Sequence, residues 1–163
     1  MKASKLSLLA LSVTLAMILS FVESQIPALV AIPGVKVGLA NIVVVFALYK
    51  LGWKEAAVIS LIRVFLVGLL FGNGVSMLYS ITGAIVSFLA MVLLKNTKVF
   101  SYTAVSVAGG VLHNMGQIGM ACVLMGTDVL KYYAPFLVLS GTLAGIVIGL
   151  LAAILVKRID VKY

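Results

Sequence analysis

The sequence predicts an all-α polytopic membrane protein with six transmembrane helices in a single domain, residues 1–163. Two observations on composition support this fold class. Of the 163 residues, 64% are hydrophobic and only 10% are charged, whereas soluble domains carry about 25% charged residues. Uncharged runs of the length that helices need recur along the chain, and no polar stretch is long enough to form a separate soluble domain. The runs are residues 6–22, 37–49, 64–94, 99–127 and 132–156.

Six helices follow from these runs in chain order. A transmembrane helix needs roughly 17–25 mostly apolar residues, so the long run 64–94 exceeds one comfortable span. The sequence Phe71-Gly72-Asn73-Gly74 divides it, because Asn and Gly are typical turn residues. The second helix is short for a span. The predicted helices cover residues 5–22, 37–50, 54–71, 75–94, 101–126 and 133–156.

Basic residues mark one side of this arrangement. Nine of the twelve fall on one side of a six-span chain, and the positive-inside rule places that side, with both termini, in the cytoplasm. This placement explains the net charge of +8 without a nucleic-acid partner. The nine are Lys2, Lys5, Lys50, Lys54, Lys95, Lys98, Lys157, Arg158 and Lys162.

Small residues recur at four-residue intervals on two helices. Helix 6 carries the row Gly141, Gly145, Gly149 and helix 1 carries Ser12, Ala16 and Ser20. Such faces let another helix approach closely. For helix 6 the simpler interpretation is packing within the chain, although the pattern does not say which helix is the neighbour.

Arg63 lies near the centre of helix 3, at a depth where it cannot easily reach water. An arginine there costs about 2.5–3.5 kcal/mol on insertion scales, so intramembrane charges usually serve a function. Two interpretations remain open. Arg63 faces a cavity and binds an anionic ligand, or it forms a structural pair with Glu23 or with carbonyl groups at a helix end.

Helix 5 carries His113, Asn114 and Gln117 on one broad face, because their spacings are three and four residues. In the six-span topology His113 and Asn114 lie near the middle with Arg63, while Gln117 and Asn41 of helix 2 lie in the outer half. The polar residues therefore converge on a volume that is open to the outside and has Arg63 at its floor. Mostly apolar walls with a few polar groups are typical of a ligand site.

The first connection is placed to cover this volume. Glu23 and Lys36 stand at its two ends, at the outer mouth, and its Pro27, Pro33 and Gly34 would shape a lid. With one His, one Cys and no nearby acidic pair, the chain offers no metal ligands. We expect no cofactor.

The sequence Pro33-Gly34-Val35-Lys36-Val37-Gly38-Leu39-Ala40-Asn41, with Glu23-Ser24-Gln25-Ile26-Pro27 before it, resembles the signature region of a bacterial membrane family. That family is called the Gx transporter family and is also labelled heptaprenyl diphosphate synthase component I. The resemblance runs from helix 1 to helix 6. The family is similar to the substrate-binding S components of energy-coupling factor (ECF) transporters, which implies six helices, an outward-facing pocket and a loop over it.

The resemblance also implies a partner and a ligand class. S components dock through small residues of helix 1 to a coupling protein driven by ATPases, and the nearest match to that motif here is Ser12-xxx-Ala16. The implied ligand is a vitamin or a similar small precursor. The implied location is the bacterial cytoplasmic membrane, in contact with lipid.

Two functions from different classes follow. The first is a non-enzymatic, S-component-like subunit that binds and translocates a small anionic molecule. Arg63 and Lys36 would hold its charge, and the polar residues of helices 2 and 5 would orient it. The alternative is an accessory subunit of isoprenoid or quinone biosynthesis that presents a prenyl diphosphate to a soluble prenyl synthase. The chain itself has only Asp128 and Asp160, so it lacks the Asp-rich motifs that hold magnesium and diphosphate in a prenyltransferase.

Overall fold

The computed structural model describes residues 3–25, 38–126 and 132–161, and within them it contains six α-helices and no strand. The predicted all-α, six-helix fold is confirmed. Most helix ends lie within three residues of the predicted ones; the start of α2, four residues later than predicted, is an exception. The helices are α1 (Ala3–Gln25), α2 (Asn41–Lys50), α3 (Trp53–Phe71), α4 (Gly74–Thr97), α5 (Tyr102–Met125) and α6 (Ala134–Arg158).

Four of these helices, α1, α4, α5 and α6, are long and apolar enough to cross a membrane. Helix α3 has 19 residues but carries three charged ones, Lys54, Glu55 and Arg63. Helix α2 has 10 residues, which at 1.5 Å per residue is about 15 Å, or about half of a hydrocarbon core of roughly 30 Å. Helix α2 alone is therefore too short for the predicted span.

The helices form a closed ring in the order α1, α3, α4, α5, α6, α2, and α2 also packs against α3. The contacts of α5 with α4 and α6 are the most extensive. Helix α2 is buried along most of its length, with six of its ten residues in the core. An apolar helix buried on all sides needs no polar face, which explains the continuous run of Val, Ile, Ala and Leu in α2.

Three polar contacts gather at one end of the bundle, which we name the basic end. Lys5 forms an ion pair with Glu55, Lys50 pairs with Asp160 at 3.5 Å, and Lys95 Nζ donates to the carbonyl oxygen of Leu48 at 2.5 Å. The first contact joins the starts of α1 and α3, and the other two join the ends of α2, α4 and α6. The short connection between Lys50 and Trp53 places the end of α2 beside the start of α3, so both groups lie at this end. The helices therefore alternate in direction, as the six-span topology requires.

The turn between α3 and α4 lies where Gly and Asn predicted it. Asn73 caps α4: its Oδ1 accepts from the Ser76 backbone N–H at 2.8 Å, and Ser76 Oγ accepts from the Asn73 N–H at 2.9 Å. This reciprocal capping box satisfies two backbone donors that a helix start otherwise leaves free.

Glycines set the distance between α5 and its neighbours. A Cβ added at Gly110 would lie 2.5 Å from the Gly141 carbonyl oxygen, and one at Gly145 would lie 2.5 Å from Val107 Cα. On the other side of α5, a Cβ at Gly116 would lie 2.9 Å from Gly83 Cα in α4. The glycine row of α6 therefore serves packing within the chain, which was the simpler interpretation of that pattern.

The small-residue face of α1 also packs inward. Ser12 is 6% exposed, Ala16 is fully buried in the hydrophobic core, and Ser20 is buried. The face of α1 that is exposed carries Leu11, Leu15 and other apolar side chains. In this structure the chain's own helices cover that face, and the docking role of Ser12 and Ala16 stays a prediction.

Candidate functional site

One cavity lies inside the ring, and every helix contributes to its wall. It extends from the end of α1 and the start of α2, where Glu23 and Gly38 lie, to the middle of the other helices. Helix α5 contributes the longest strip, in which Ser106, Gly110, His113 and Gln117 share one face. The cavity exists because α5 and α6 meet through glycines, which leaves a smooth wall with no side chain to fill the space.

Buried polar atoms without a partner concentrate in this cavity. Among the described residues, four buried side-chain atoms have no hydrogen-bond partner, and three belong to residues that line the cavity: Ser20 Oγ, Arg63 Nε and Ser106 Oγ. The fourth, the hydroxyl of Tyr49, lies outside the lining. An unsatisfied buried donor or acceptor costs about 1–3 kcal/mol. Three such atoms from three helices in one cavity indicate that something other than the described side chains completes the site.

Arg63 and Glu23 lie on the neighbouring helices α3 and α1 and interact electrostatically. The ion pairs formed by the described residues do not include a direct Arg63–Glu23 contact within 4 Å. Instead, Glu23 Oε1 accepts a short hydrogen bond from the backbone N–H of Gly38. Glu23 thus joins the end of α1 to the entry of α2, and Arg63 keeps its Nε available to the cavity.

Gly38 is required at this junction. Its φ is +77°, a value that residues with a Cβ rarely adopt and glycine adopts freely. An added Cβ would also lie 3.4 Å from Ile148 Cδ1 of α6. The Gly-Leu-Ala-Asn sequence therefore turns the chain into α2 and places Asn41 on the cavity wall.

Asn114 lines the cavity but is already engaged. Its amide nitrogen donates to the Leu137 carbonyl oxygen at 2.8 Å and to Ser140 Oγ at 3.3 Å, both on α6. Asn114 is buried and thereby holds α5 to α6. This use of the donor group differs from the predicted orienting role, because the Asn114 NH₂ group already binds the neighbouring helix.

The structure thus brings together six of the seven residues predicted to bind a ligand, and the predicted role of each stays a prediction. The six are Glu23, Asn41, Arg63, His113, Asn114 and Gln117. The seventh, Lys36, lies outside the described residues, as do the predicted lid residues Pro27, Pro33 and Gly34.

Three serines of the wall were not predicted: Ser20, Ser80 and Ser106. A signal was present for two of them. Ser106 precedes His113 by seven residues, which is two helical turns, and Ser20 precedes Glu23 by three residues. The described residues hold no group of three or more His, Cys, Asp and Glu placed to bind a metal ion.

Chemically, this cavity can hold an anion. It offers the guanidinium of Arg63, which presents a rigid fork of donors to a carboxylate or phosphate. It also offers the unpartnered hydroxyls of Ser20 and Ser106, which can donate or accept. Its one carboxylate is occupied by a backbone donor.

Comparison with known proteins gives one match. A family model described as heptaprenyl diphosphate synthase component I matches residues 12–155, a range that reaches from α1 to α6. No curated protein and no solved structure matches the chain, so the similarity to S components stays a prediction. The matched range includes every cavity residue named above, and the chain belongs to the heptaprenyl diphosphate synthase component I family.

Proposed function

We propose that this protein is a non-enzymatic membrane subunit that binds a small anionic molecule in the six-helix cavity and passes it across the membrane as part of an ECF-like transporter. The observation that carries the proposal is the concentration of unpartnered buried polar atoms, Ser20 Oγ, Arg63 Nε and Ser106 Oγ, in one cavity. A protein that only needed helix packing would gain stability by losing these groups.

In this proposal Arg63 holds the anionic group of the ligand. Asn41, His113 and Gln117 provide hydrogen bonds to the rest of the molecule, and Lys36 supplies a second positive charge. Glu23 holds the junction of α1 and α2 through Gly38. Glu23 carries a negative charge at the same cavity, opposite in sign to that of Arg63. The site therefore favours an anionic ligand whose negative charge lies at the arginine.

Transport against a gradient requires energy from elsewhere. The sequence contains no GxxxxGK[ST] phosphate-binding loop. We therefore propose a coupling protein with ATPases as the partner. The location in this proposal is the bacterial cytoplasmic membrane, with both termini in the cytoplasm.

The family description supports a second candidate. It names a component of heptaprenyl diphosphate synthase, and a guanidinium in an apolar cavity would suit a prenyl diphosphate. In that case the chain would present the prenyl diphosphate to a soluble prenyl synthase. The chain would not be the catalyst, because it has only two aspartates, 32 positions apart.

The decisive experiment identifies the small molecules that remain with the purified protein. Wild type and Arg63→Gln are purified in parallel into nanodiscs of neutral lipid, and extracts are compared by mass spectrometry. We expect an anion that is enriched in the wild type and absent from the variant. Identical extracts from two folded samples would contradict the proposal.

Copurification then separates the two candidates. Membranes are solubilised gently with the chain as bait. A membrane protein together with ATPases supports transport, whereas a soluble prenyl synthase supports the second candidate.

Orientation is tested in a Cys122→Ser background. Cysteines at Lys54 and Lys95 should resist an impermeant reagent added outside, while those at Asn73 and Lys131 should react. The reverse pattern would place the cavity mouth on the cytoplasmic side and contradict outside binding.

A further inference from the structure

Charges of both signs face the cavity. Arg63 on α3 and Glu23 on α1 line it, and the two side chains interact electrostatically. No ion pair within 4 Å joins them, although both belong to the described part of the chain. A pair that only stabilised the bundle would gain most from direct contact, because a buried charge offsets its desolvation through close, hydrogen-bonded partners. Each of these two charges is therefore placed to meet a group of a ligand.

Glu23 has acceptor capacity beyond the junction that it holds. Its Oε1 accepts from the backbone N–H of Gly38. A carboxylate has two oxygens with about four acceptor sites, so a single backbone donor does not saturate it. An ammonium group suits the remaining sites, since hydrogen bonds that involve charged groups are roughly twice as strong as those between neutral ones.

The charge balance of the cavity favours a ligand that carries both signs. The formal charges of Arg63 and Glu23 cancel, so a simple monoanion would bring a net negative charge into a membrane-spanning bundle. Such a charge is costly unless it is paired. A ligand that brings an ammonium together with its acid group leaves the sum at zero. Lys36, outside the described residues, is the alternative source of a balancing charge, and the second test below distinguishes the two sources.

The size and the polarity of the cavity point to the same class of ligand. The cavity volume is about 90 Å³. Since a water molecule needs roughly 10–15 Å³ of such space, the cavity holds on the order of six to nine non-hydrogen atoms. Nine of the seventeen lining residues carry polar side chains, among them Ser80 on α4 and Gln117 on α5. Such a wall suits a small molecule with several donors and acceptors, because buried polar groups need partners.

We infer that the ligand is a small polar amino acid or a molecule of the same kind, with its carboxylate at the guanidinium of Arg63 and its ammonium at the carboxylate of Glu23. Polar side chains of α4 and α5 bind its remaining groups. This inference rests on the proposed binding function and names a substrate class for it, since the carboxylate is the anionic group of that proposal. The amine is the additional feature.

The first test identifies the charged groups of the molecule that remains with the protein. Wild type, Arg63→Gln, Glu23→Gln and Glu55→Gln are purified as full chains into nanodiscs of phosphatidylcholine, and half of each extract is treated with dansyl chloride, which labels amines. Glu55→Gln is the matched control, because Glu55 pairs with Lys5 at the basic end and lies outside the cavity lining. By mass spectrometry we expect an acid that takes the dansyl label. It should be enriched in the wild type and the control and at least about tenfold depleted in the other two variants.

The second test measures what the amine contributes. L-serine is compared with glycerate, in which a hydroxyl replaces the amine, and with serinamide, in which an amide replaces the carboxylate. L-threonine is compared with 2,3-dihydroxybutanoate and threoninamide in the same way. Binding to the wild type in the same nanodiscs is measured by calorimetry. We expect the amino acid to bind roughly thirtyfold or more tightly than either analogue, because losing one partner of a buried charge pair costs about that factor or more.

Glu23→Gln should remove this preference for the amino acid. It should weaken amino acid binding by roughly thirtyfold or more, and it should leave hydroxy acid binding unchanged or strengthen it, since the repelling carboxylate is gone. Glu55→Gln should change neither affinity. Hydroxy acid binding and the melting temperature of Glu23→Gln show that the variant is folded.

Two failures are distinguishable. The amino acid inference is overturned if the enriched acid takes no dansyl label, if Glu23→Gln retains it, or if a hydroxy acid binds as tightly as its amino acid, as a balancing charge from Lys36 would produce. If neither serine nor threonine binds, the labelled acid decides: its presence supports the inference and its absence overturns it. In all these cases the anion site stands as long as the acid is depleted in Arg63→Gln. Identical extracts from wild type and Arg63→Gln would overturn the proposed function as well.

Discussion

Different interactions distinguish the two halves of the bundle. In the half formed by α4, α5 and α6, backbones meet through glycines such as Gly110 and Gly141, and charged residues occur only near the basic end. In the half formed by α1, α2 and α3, Glu23 and Arg63 lie at the cavity and few glycines mediate contacts. The cavity therefore has one wall fixed by steric contact and one wall that depends on charge and hydrogen bonds. The charge of the ligand is expected to be recognised by the second wall, whereas the first wall provides the shape together with the polar side chains of Ser106, His113 and Gln117.

The largest expected effect concerns the charged wall. Arg63→Gln keeps much of the volume and some hydrogen bonding but removes the charge. Losing one partner of a buried charge pair costs about 3–5 kcal/mol, and each 1.4 kcal/mol is about tenfold in affinity. We expect affinity for the anion to fall by about two to three orders of magnitude while the protein stays folded. Arg63→Lys should keep only part of the wild-type affinity, because an ammonium lacks the planar fork of donors.

Glu23→Gln is the matching control, since a glutamine oxygen can still accept from the Gly38 N–H. If Arg63 is a structural partner of Glu23, Arg63→Gln should lower the melting temperature, and the double variant should recover it. Unchanged affinity in Arg63→Gln combined with that recovery would contradict the anion site.

The second prediction concerns the steric wall. Gly110→Ala places a Cβ 2.5 Å from the Gly141 carbonyl oxygen, so α5 and α6 must separate. Overpacking of this kind costs about 1–3 kcal/mol, and we expect a clearly lower melting temperature together with weaker binding of the copurified anion.

Gly119 on the same helix is the control, because nothing lies within 4 Å of an added Cβ there. Gly119→Ala should be neutral or slightly stabilising, since alanine is the better helix former by about 1 kcal/mol. Equal melting temperatures for the two variants would show that glycine contact does not fix the α5–α6 wall.

Sequence reasoning succeeded where a signal is local or follows from alternation of helix direction. The Gly72-Asn73-Gly74 turn predicted the α3–α4 boundary through local backbone chemistry, and alternating helices placed Arg63 and His113 at one depth. It gave less where the outcome depends on which neighbour a face meets. Ser12 and Ala16 signalled a close contact, and in this structure the chain's own bundle covers them. Asn114 gave no sign that the Leu137 carbonyl and the Ser140 hydroxyl of α6 would accept from its amide, because those groups are far away in sequence.

The third prediction tests the docking role of α1. Ala16 is fully buried in the core, whereas Ala10 on the same helix is exposed. Ala16→Leu should destabilise the protein by about 1–3 kcal/mol, and Ala10→Leu should change the free energy of unfolding by no more than about 0.5 kcal/mol. Thermal unfolding in nanodiscs measures both. A stable Ala16→Leu protein that still retains its anion but loses copurifying partners would instead support the docking role.

The smallest expected effect is at a hydroxyl on the steric wall. Ser106 is fully buried and its Oγ has no partner, so Ser106→Ala removes a desolvated polar atom that contributes nothing to the empty protein. Replacing it should be neutral or stabilising by up to about 1 kcal/mol. If the hydroxyl binds the ligand, affinity for the anion should fall by about tenfold or less, since one hydrogen bond contributes about 0.5–1.5 kcal/mol.

Ser12→Ala is the matched control: Ser12 is also buried, but its Oγ already donates to the Leu8 carbonyl oxygen at 2.8 Å. That variant should leave affinity unchanged. If Ser106→Ala raises the free energy of unfolding but lowers ligand affinity, the hydroxyl serves the ligand and not the stability of the protein. A loss of stability without a loss of affinity would show that Ser106 serves packing.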